Sequence, residues 1–91
     1  MDSYLFLKYA KMAVHMHLKK KGQYLKPSDI YHVQTAFVLG NNKGTFSGPN
    51  SDGLYYEVTY NKEKNEFYVD EYEKLSNTVI KPEQLDLDLW V

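Results

Sequence analysis

The hydrophobic pattern changes period along the chain, and each change marks an element. Between Ser3 and Lys21, the residues Leu5, Phe6, Tyr9, Ala10, Met12, Ala13 and Met16 form a broad apolar stripe at helical spacing. Lys8, Lys11, His15 and Lys19 fall on the opposite side. Asp2 or Ser3 can cap the start, Lys19 to Lys21 complement the helix dipole at the end, and Gly22 supplies a stop. From Leu54 the period becomes two. Leu54, Tyr56, Val58 and Tyr60 alternate with Tyr55, Glu57 and Thr59, and Phe67 and Val69 resume the pattern after the polar turn Asn61 to Asn65. Tyr, Val, Thr and Phe suit a pleated, half-buried surface, so this stretch predicts a hairpin. A lone hairpin is marginal in water and needs a further strand or a helix across its apolar face.

The intervening residues supply those strands. Pro27 forces Lys26 to be extended, and Ser28 and Asp29 form a turn. Ile30 to Leu39 reads as a strand, with one wet face marked by His32, Gln34 and Thr35. Gly40 to Gly44 reads as a turn and Thr45 to Ser47 as a short return strand. Gly48 to Gly53, GPNSDG, reads as a loop in which Gly53 takes positive φ. After Val69, the acids Asp70, Glu71 and Glu73 precede Lys74, with Tyr72 and Leu75 three apart. This reads as a short C-terminal helix stopped by Asn77. The expected fold is α+β: an N-terminal helix packed on a four-stranded antiparallel meander in a cystatin-like manner, then a short helix and a tail. Residues 1–80 form one domain and residues 81–91 the tail, either a docking segment or an edge strand.

Composition narrows the functional classes. A 91-residue chain buries only about 60–65% of its unfolded surface, so its stability margin is thin. Cysteine is absent, which excludes disulfides, thiolate metal sites and a cysteine nucleophile. Lys8 and Lys11 break the apolar N-terminal run, and no stretch approaches the ~20 apolar residues of a membrane span, so a cytoplasmic setting without membrane association is expected. The competing reading of the first helix, a basic amphipathic segment on a membrane surface, is weaker because the hairpin needs its apolar stripe. Residues 1–51 carry seven lysines against Asp2 and Asp29, a net of +5, and residues 52–91 carry ten acids against four lysines, a net of −6. Every cation is a lysine. Base readout and phosphate clamping lean on arginine forks, so direct nucleic-acid binding is not expected. The Lys, Asn and Tyr bias suggests AT-rich coding from a low-GC Gram-positive host or its phage.

No catalytic constellation is present, so no enzyme and no cofactor is expected. His15 and His17 lie about 200° apart on a helix and cannot share a metal there. Asp52, Asp70, Glu71 and Glu73 read as a solvated acidic surface, with no nucleophile arranged nearby. Nine tyrosines are many for this length. Tyr55 and Tyr68, with Tyr31 beside them, point to the sheet face opposite the core, either as a protein-binding surface or as a face covered by the tail or the short helix.

The runs DIYHV, GNNKGTFSG and DGLYYEVTYNKEKNEFYVDEYEK resemble a small family of unknown function found in phages and prophages of Gram-positive bacteria. Asp29 to Val33, Lys43, Asp52, Gly53, Tyr55 to Tyr60 and Phe67 to Lys74 carry the likeness. These are fold-forming residues, so the resemblance implies a cytoplasmic accessory protein that binds a host protein, and carries over no active site.

The tail holds the sharpest motif. Gln84, Leu85, Asp86, Leu87, Asp88 and Leu89, followed by Trp90, resemble the hexapeptide by which proteins dock on the bacterial replicative sliding clamp. An extended peptide would offer Leu87 and Leu89, aided by Trp90, to an apolar pocket, while Gln84 hydrogen-bonds at a second subsite. Pro82 should keep the segment extended. The competing reading is a fifth strand with Leu85, Leu87 and Leu89 buried and the two aspartates in water. An alternative function is inhibition of a host defence or replication enzyme, with the acidic half mimicking nucleic acid. Homo-oligomerisation is left open.

Overall fold

The computed structural model describes residues 1–38, 40–49 and 53–90, and leaves the side chains of Val38 and Trp90 outside that description. Helix α1 spans Ser3–Lys20. Its Asp2 cap accepts a hydrogen bond from the Leu5 N–H at 2.8 Å, satisfying one of the donors a helix start leaves free. At the other end the Gln23 N–H reaches the Leu18 carbonyl and the Gly22 N–H reaches that of Lys19, with Gly22 at φ 79°. This pair of bonds is a Schellman close, and only a residue without a Cβ adopts that backbone at no cost.

Four antiparallel strands follow: β1, Tyr31–Val38; β2, Asn41–Ser47; β3, Leu54–Asn61; and β4, Glu66–Glu73. They pair in chain order, β1-β2-β3-β4, so the sheet is a plain meander with β1 and β4 at its edges. The fold is therefore α+β, as the segregation of helix from strands predicts. The helix lies across β2, β3 and β4. Phe6, Ala10, Val14 and Leu18 form its buried row and meet Phe46 of β2 and Tyr56, Val58 and Tyr60 of β3, with Ile30 closing one end. Phe67 joins from β4 and stacks on Phe6 with ring centroids 6.5 Å apart.

Four expectations are corrected. The buried row is rotated from the expected stripe: Leu5, Tyr9, Met12 and Met16 are exposed, and Val14 and Leu18 take their place. Two apolar rows exist at helical spacing, and the one with the smaller residues Ala10 and Val14 can approach the sheet more closely. The strand β2 begins at Asn41, not Thr45. The turn closes early because Gly40 takes φ 80°, after which Asn42 pairs with Phe37 and Tyr60. The short helix expected around Tyr72 is instead the end of β4. Eight residues of β3 need partners, and Tyr55 opposite Tyr72 and Leu54 opposite Glu73 extend the ladder past the point where the acidic composition suggests a helix. Finally, Pro82 does not hold the tail extended. It opens a 3₁₀ turn at Pro82–Gln84, as proline does when its fixed φ suits a first helical position, and a second turn spans Leu87–Trp90. The expected positive φ at Gly53 is observed, at 71°, whereas Leu39 and Asn50 to Asp52 of the predicted strand and loop lie outside the described residues.

Candidate functional site

The tail is built from residues that the sheet does not use. After Glu73 no strand forms among the described residues, and 74–89 are exposed throughout. The radius of gyration, 16.7 Å, exceeds the ~12 Å of a compact chain of this length, in keeping with a segment that runs away from the domain. Leu85, Leu87 and Leu89 are 57%, 74% and 82% exposed. They line a shallow groove of about 520 Å³ together with Gln84 and Asp86. The Gln84 side-chain carbonyl accepts the Lys81 N–H at 3.0 Å, and the Asp86 carboxylate accepts the Asp88 N–H at 3.0 Å. These local bonds hold the two short turns. A single 3₁₀ turn is a weak structure with poor hydrogen-bond geometry, so straightening the tail costs little. The Trp90 side chain lies outside the described residues.

The second group of predicted binding residues sits on the sheet face away from α1. Tyr55 and Tyr72 face each other across β3 and β4, with rings stacked 5.0 Å apart at 14°. Tyr68 stands further along the same face, and its hydroxyl donates to Glu66 at 2.8 Å. That bond to a carboxylate holds the Tyr68 phenol above its ordinary pKa. All three rings are exposed. The tyrosine face and the tail are separate surfaces, one carried by the sheet and one by residues beyond it.

Among the described residues, the acids that the sequence suggests as a carboxylate pair do not converge, and Asp52 lies outside them. Asp70 and Glu71 project from opposite faces of β4. Glu71 lies on the helix side, where it accepts from Lys21 at 2.7 Å and meets His17 Nε2 at 3.1 Å. The Lys21 bond is the main reason the Glu71 carboxyl is held below its ordinary pKa, and the same contact raises that of Lys21. His15 bonds the Leu25 carbonyl through Nδ1, at 2.6 Å, and His32 bonds the Thr35 hydroxyl. The three histidines thus serve three different contacts, and the described residues hold no group of three or more potential metal ligands. A partly enclosed cavity of about 220 Å³ lies where α1 ends over the start of β3. Leu18, Leu25, Leu54 and Tyr56 line it with Gln23, Tyr24 and Pro49, and none of these described residues carries a carboxylate or imidazole.

Sequence reasoning missed a third surface, the outer ridge of α1. Leu5, Tyr9, Met12 and Met16 stand in the solvent at spacings of four, three and four. The signal was present, since two apolar rows cannot both face one sheet. No helix among the described residues is long and apolar enough to cross a membrane.

A family model described as a family of unknown function (DUF6275) matches residues 7–82. No curated protein and no solved structure matches the chain.

Proposed function

The chain belongs to the family of unknown function DUF6275, which brings no activity with it, and we propose that it is a non-enzymatic binding protein that docks a partner through its tail. One observation carries this reading. Three leucines at alternate positions stay in water at the end of a domain whose own core is complete without them. Leaving that much apolar surface exposed disfavours the isolated chain unless a partner covers it. The partner would provide an apolar pocket for Leu87 and Leu89 and a polar subsite for Gln84. Docking as an extended peptide requires the Gln84 carbonyl to leave the Lys81 N–H and the Leu87–Trp90 turn to open.

The bacterial replicative sliding clamp is the partner we propose, because Gln84, Leu85, Leu87 and Leu89 fall in the order of its docking hexapeptide. The arginine-free, Lys- and Asn-rich composition supports an origin in a phage or prophage of a low-GC Gram-positive host, where such a protein would act in the cytoplasm on the host's replication machinery. The family match ends at residue 82, so the docking residues lie beyond the matched region, and the proposal concerns this chain rather than the family as a whole.

Titration calorimetry against a purified Gram-positive sliding clamp tests the proposal. The parent chain should bind, and Gln84→Ala combined with Leu87→Ala should abolish binding while leaving the thermal melt unchanged. A parent chain that gives no heat at several hundred micromolar clamp overturns it, as does a double variant that binds as well as the parent.

A further inference from the structure

The two edges of the sheet are not alike. An edge strand offers a row of unpaired N–H and C=O groups, and proteins guard it with charges, proline, bulges or a covering element. The β4 edge carries Glu66, Asp70, Glu71 and Glu73 in eight residues. Two copies of such a strand repel. The β1 edge reads Tyr-His-Val-Gln-Thr-Ala-Phe-Val, eight residues with no formal charge and no proline. Its one guard is a bulge between His32 and Gln34, which leaves Gln34 to Val38 as a regular stretch. The helix gives no cover either, because α1 packs on β2, β3 and β4. Phe37, which points to the helix side of the sheet, is therefore 69% exposed. It borders an open groove of about 490 Å³ between β1 and Met1 to Ser3 at the helix start.

We propose that β1 is the seam of a homodimer in which Gln34 to Val38 pairs antiparallel with the same residues of a second copy. The bulge and the pleat together select the register. Only a two-fold axis at Ala36 uses all five regular residues with side chains matched face to face, so Gln34 lies opposite Val38 and Thr35 opposite Phe37. Ala36, the smallest side chain of the stretch, then sits on the axis. The two Phe37 rings become diagonal neighbours, about 7–8 Å apart and within reach of each other, on the helix side of the sheet at a seam that lies beyond either helix. An identical strand suits this edge because it brings no charge to an uncharged strand and buries an equal phenylalanine. The product is an eight-stranded sheet with both helices on one face and both acidic β4 edges at the outside, where they stop further growth. A seam of five residues a side falls below the ~1,200 Å² of small stable interfaces, so dissociation on the order of 10–100 μM is expected. This inference does not depend on what the tail binds.

Sedimentation of the full chain from about 5 to 500 μM tests it. The mass should rise from 10.7 kDa towards twice that value. Ala36→Lys sets two ammonium groups together on the axis and should keep the chain monomeric throughout, as should Phe37→Lys. Glu73→Lys on the other edge should leave the dimer unchanged. Hydrogen exchange on the unaltered chain provides a reading free of any folding defect, since the amides within 34–38 should exchange more slowly as concentration rises. The proposal is overturned by a parent chain monomeric at 500 μM, by a dimer indifferent to Ala36→Lys, by a dimer lost through Glu73→Lys or through removal of residues 82–91, or by exchange at 34–38 that ignores concentration.

Discussion

Phe6 rests directly on Gly44. A Cβ placed on Gly44 would stand 3.1 Å from the Phe6 ring and 2.9 Å from that of Phe46, and both rings are fully buried. The glycine is thus the socket that lets α1 approach β2. Gly44→Ala should destabilise the fold by about 1–3 kcal/mol, the usual cost of overpacking, even though alanine is otherwise better tolerated than glycine in a strand. Chemical denaturation measures this. A neutral or stabilising result would show that the two rings can shift aside.

Glu71 ties the end of β4 to the end of α1 through Lys21 and His17. Its carboxyl titrates below its ordinary value of 4.5 in the folded chain, so its contribution is present above that value and is lost as pH falls through the depressed folded pKa. Lys21 titrates above its ordinary 10.5, so its share is present below that value and is lost as pH rises through the raised folded pKa. Glu71→Gln should therefore lower the melting temperature at pH 7 by a small amount, as befits an exposed pair. The difference from the parent should begin to shrink as pH drops below 4.5 and vanish only once pH has passed the depressed folded pKa. A difference that persists in acid would point to packing rather than charge.

Tyr55 and Tyr72 stack across β3 and β4 at a position where composition alone favours a helical turn. A double-mutant cycle with Tyr55→Ala and Tyr72→Ala should give a coupling of about 0.5–1.5 kcal/mol, the range for aromatic pairs. Zero coupling would mean that the rings merely sit side by side.

Removal of residues 82–91 should leave stability within about 0.5 kcal/mol of the parent, because none of the described residues of that segment contributes a core side chain. Were the leucines to pack on the sheet, the loss would be several times larger, about 2–5 kcal/mol for each. Urea unfolding separates the two outcomes.

Much of this fold is legible in the residues. Alternation from Leu54 to Tyr60 gives β3, the Asp2 cap and Gly22 bound the helix, and Gly53 marks the entry to the central strand. Two of the failures share one cause. Asn41 to Gly44 carries turn formers and Asp70 to Glu73 carries acids, so local preference argues against strand in both places, yet a partner strand with free hydrogen-bonding groups lies alongside each. Gly44 looks like a turn residue until Phe6 is seen above it. In the helix, periodicity shows two apolar rows but not which one the sheet takes, because that depends on how closely the backbones approach. The tail motif is fully visible in sequence, whereas the uncovered β1 edge is not, since nothing local reveals that α1 stops short of it.

The position of α1 also orders events in time. Three hairpins of the meander link neighbours in the chain, but Phe6 meets Phe67, 61 positions later, and Tyr9 meets the same ring. Local contacts form early and distant ones late, because the intervening loop must close first. During synthesis the helix leaves the ribosome with apolar rows on two sides and no sheet to cover either one. It must wait for nearly the whole domain before its inner row can dock, and its outer row of Leu5, Tyr9, Met12 and Met16 stays bare even then. A nascent chain of this kind is exposed to chaperones for most of its synthesis, and the last core residue to emerge, Val69, sets the earliest moment at which folding can finish.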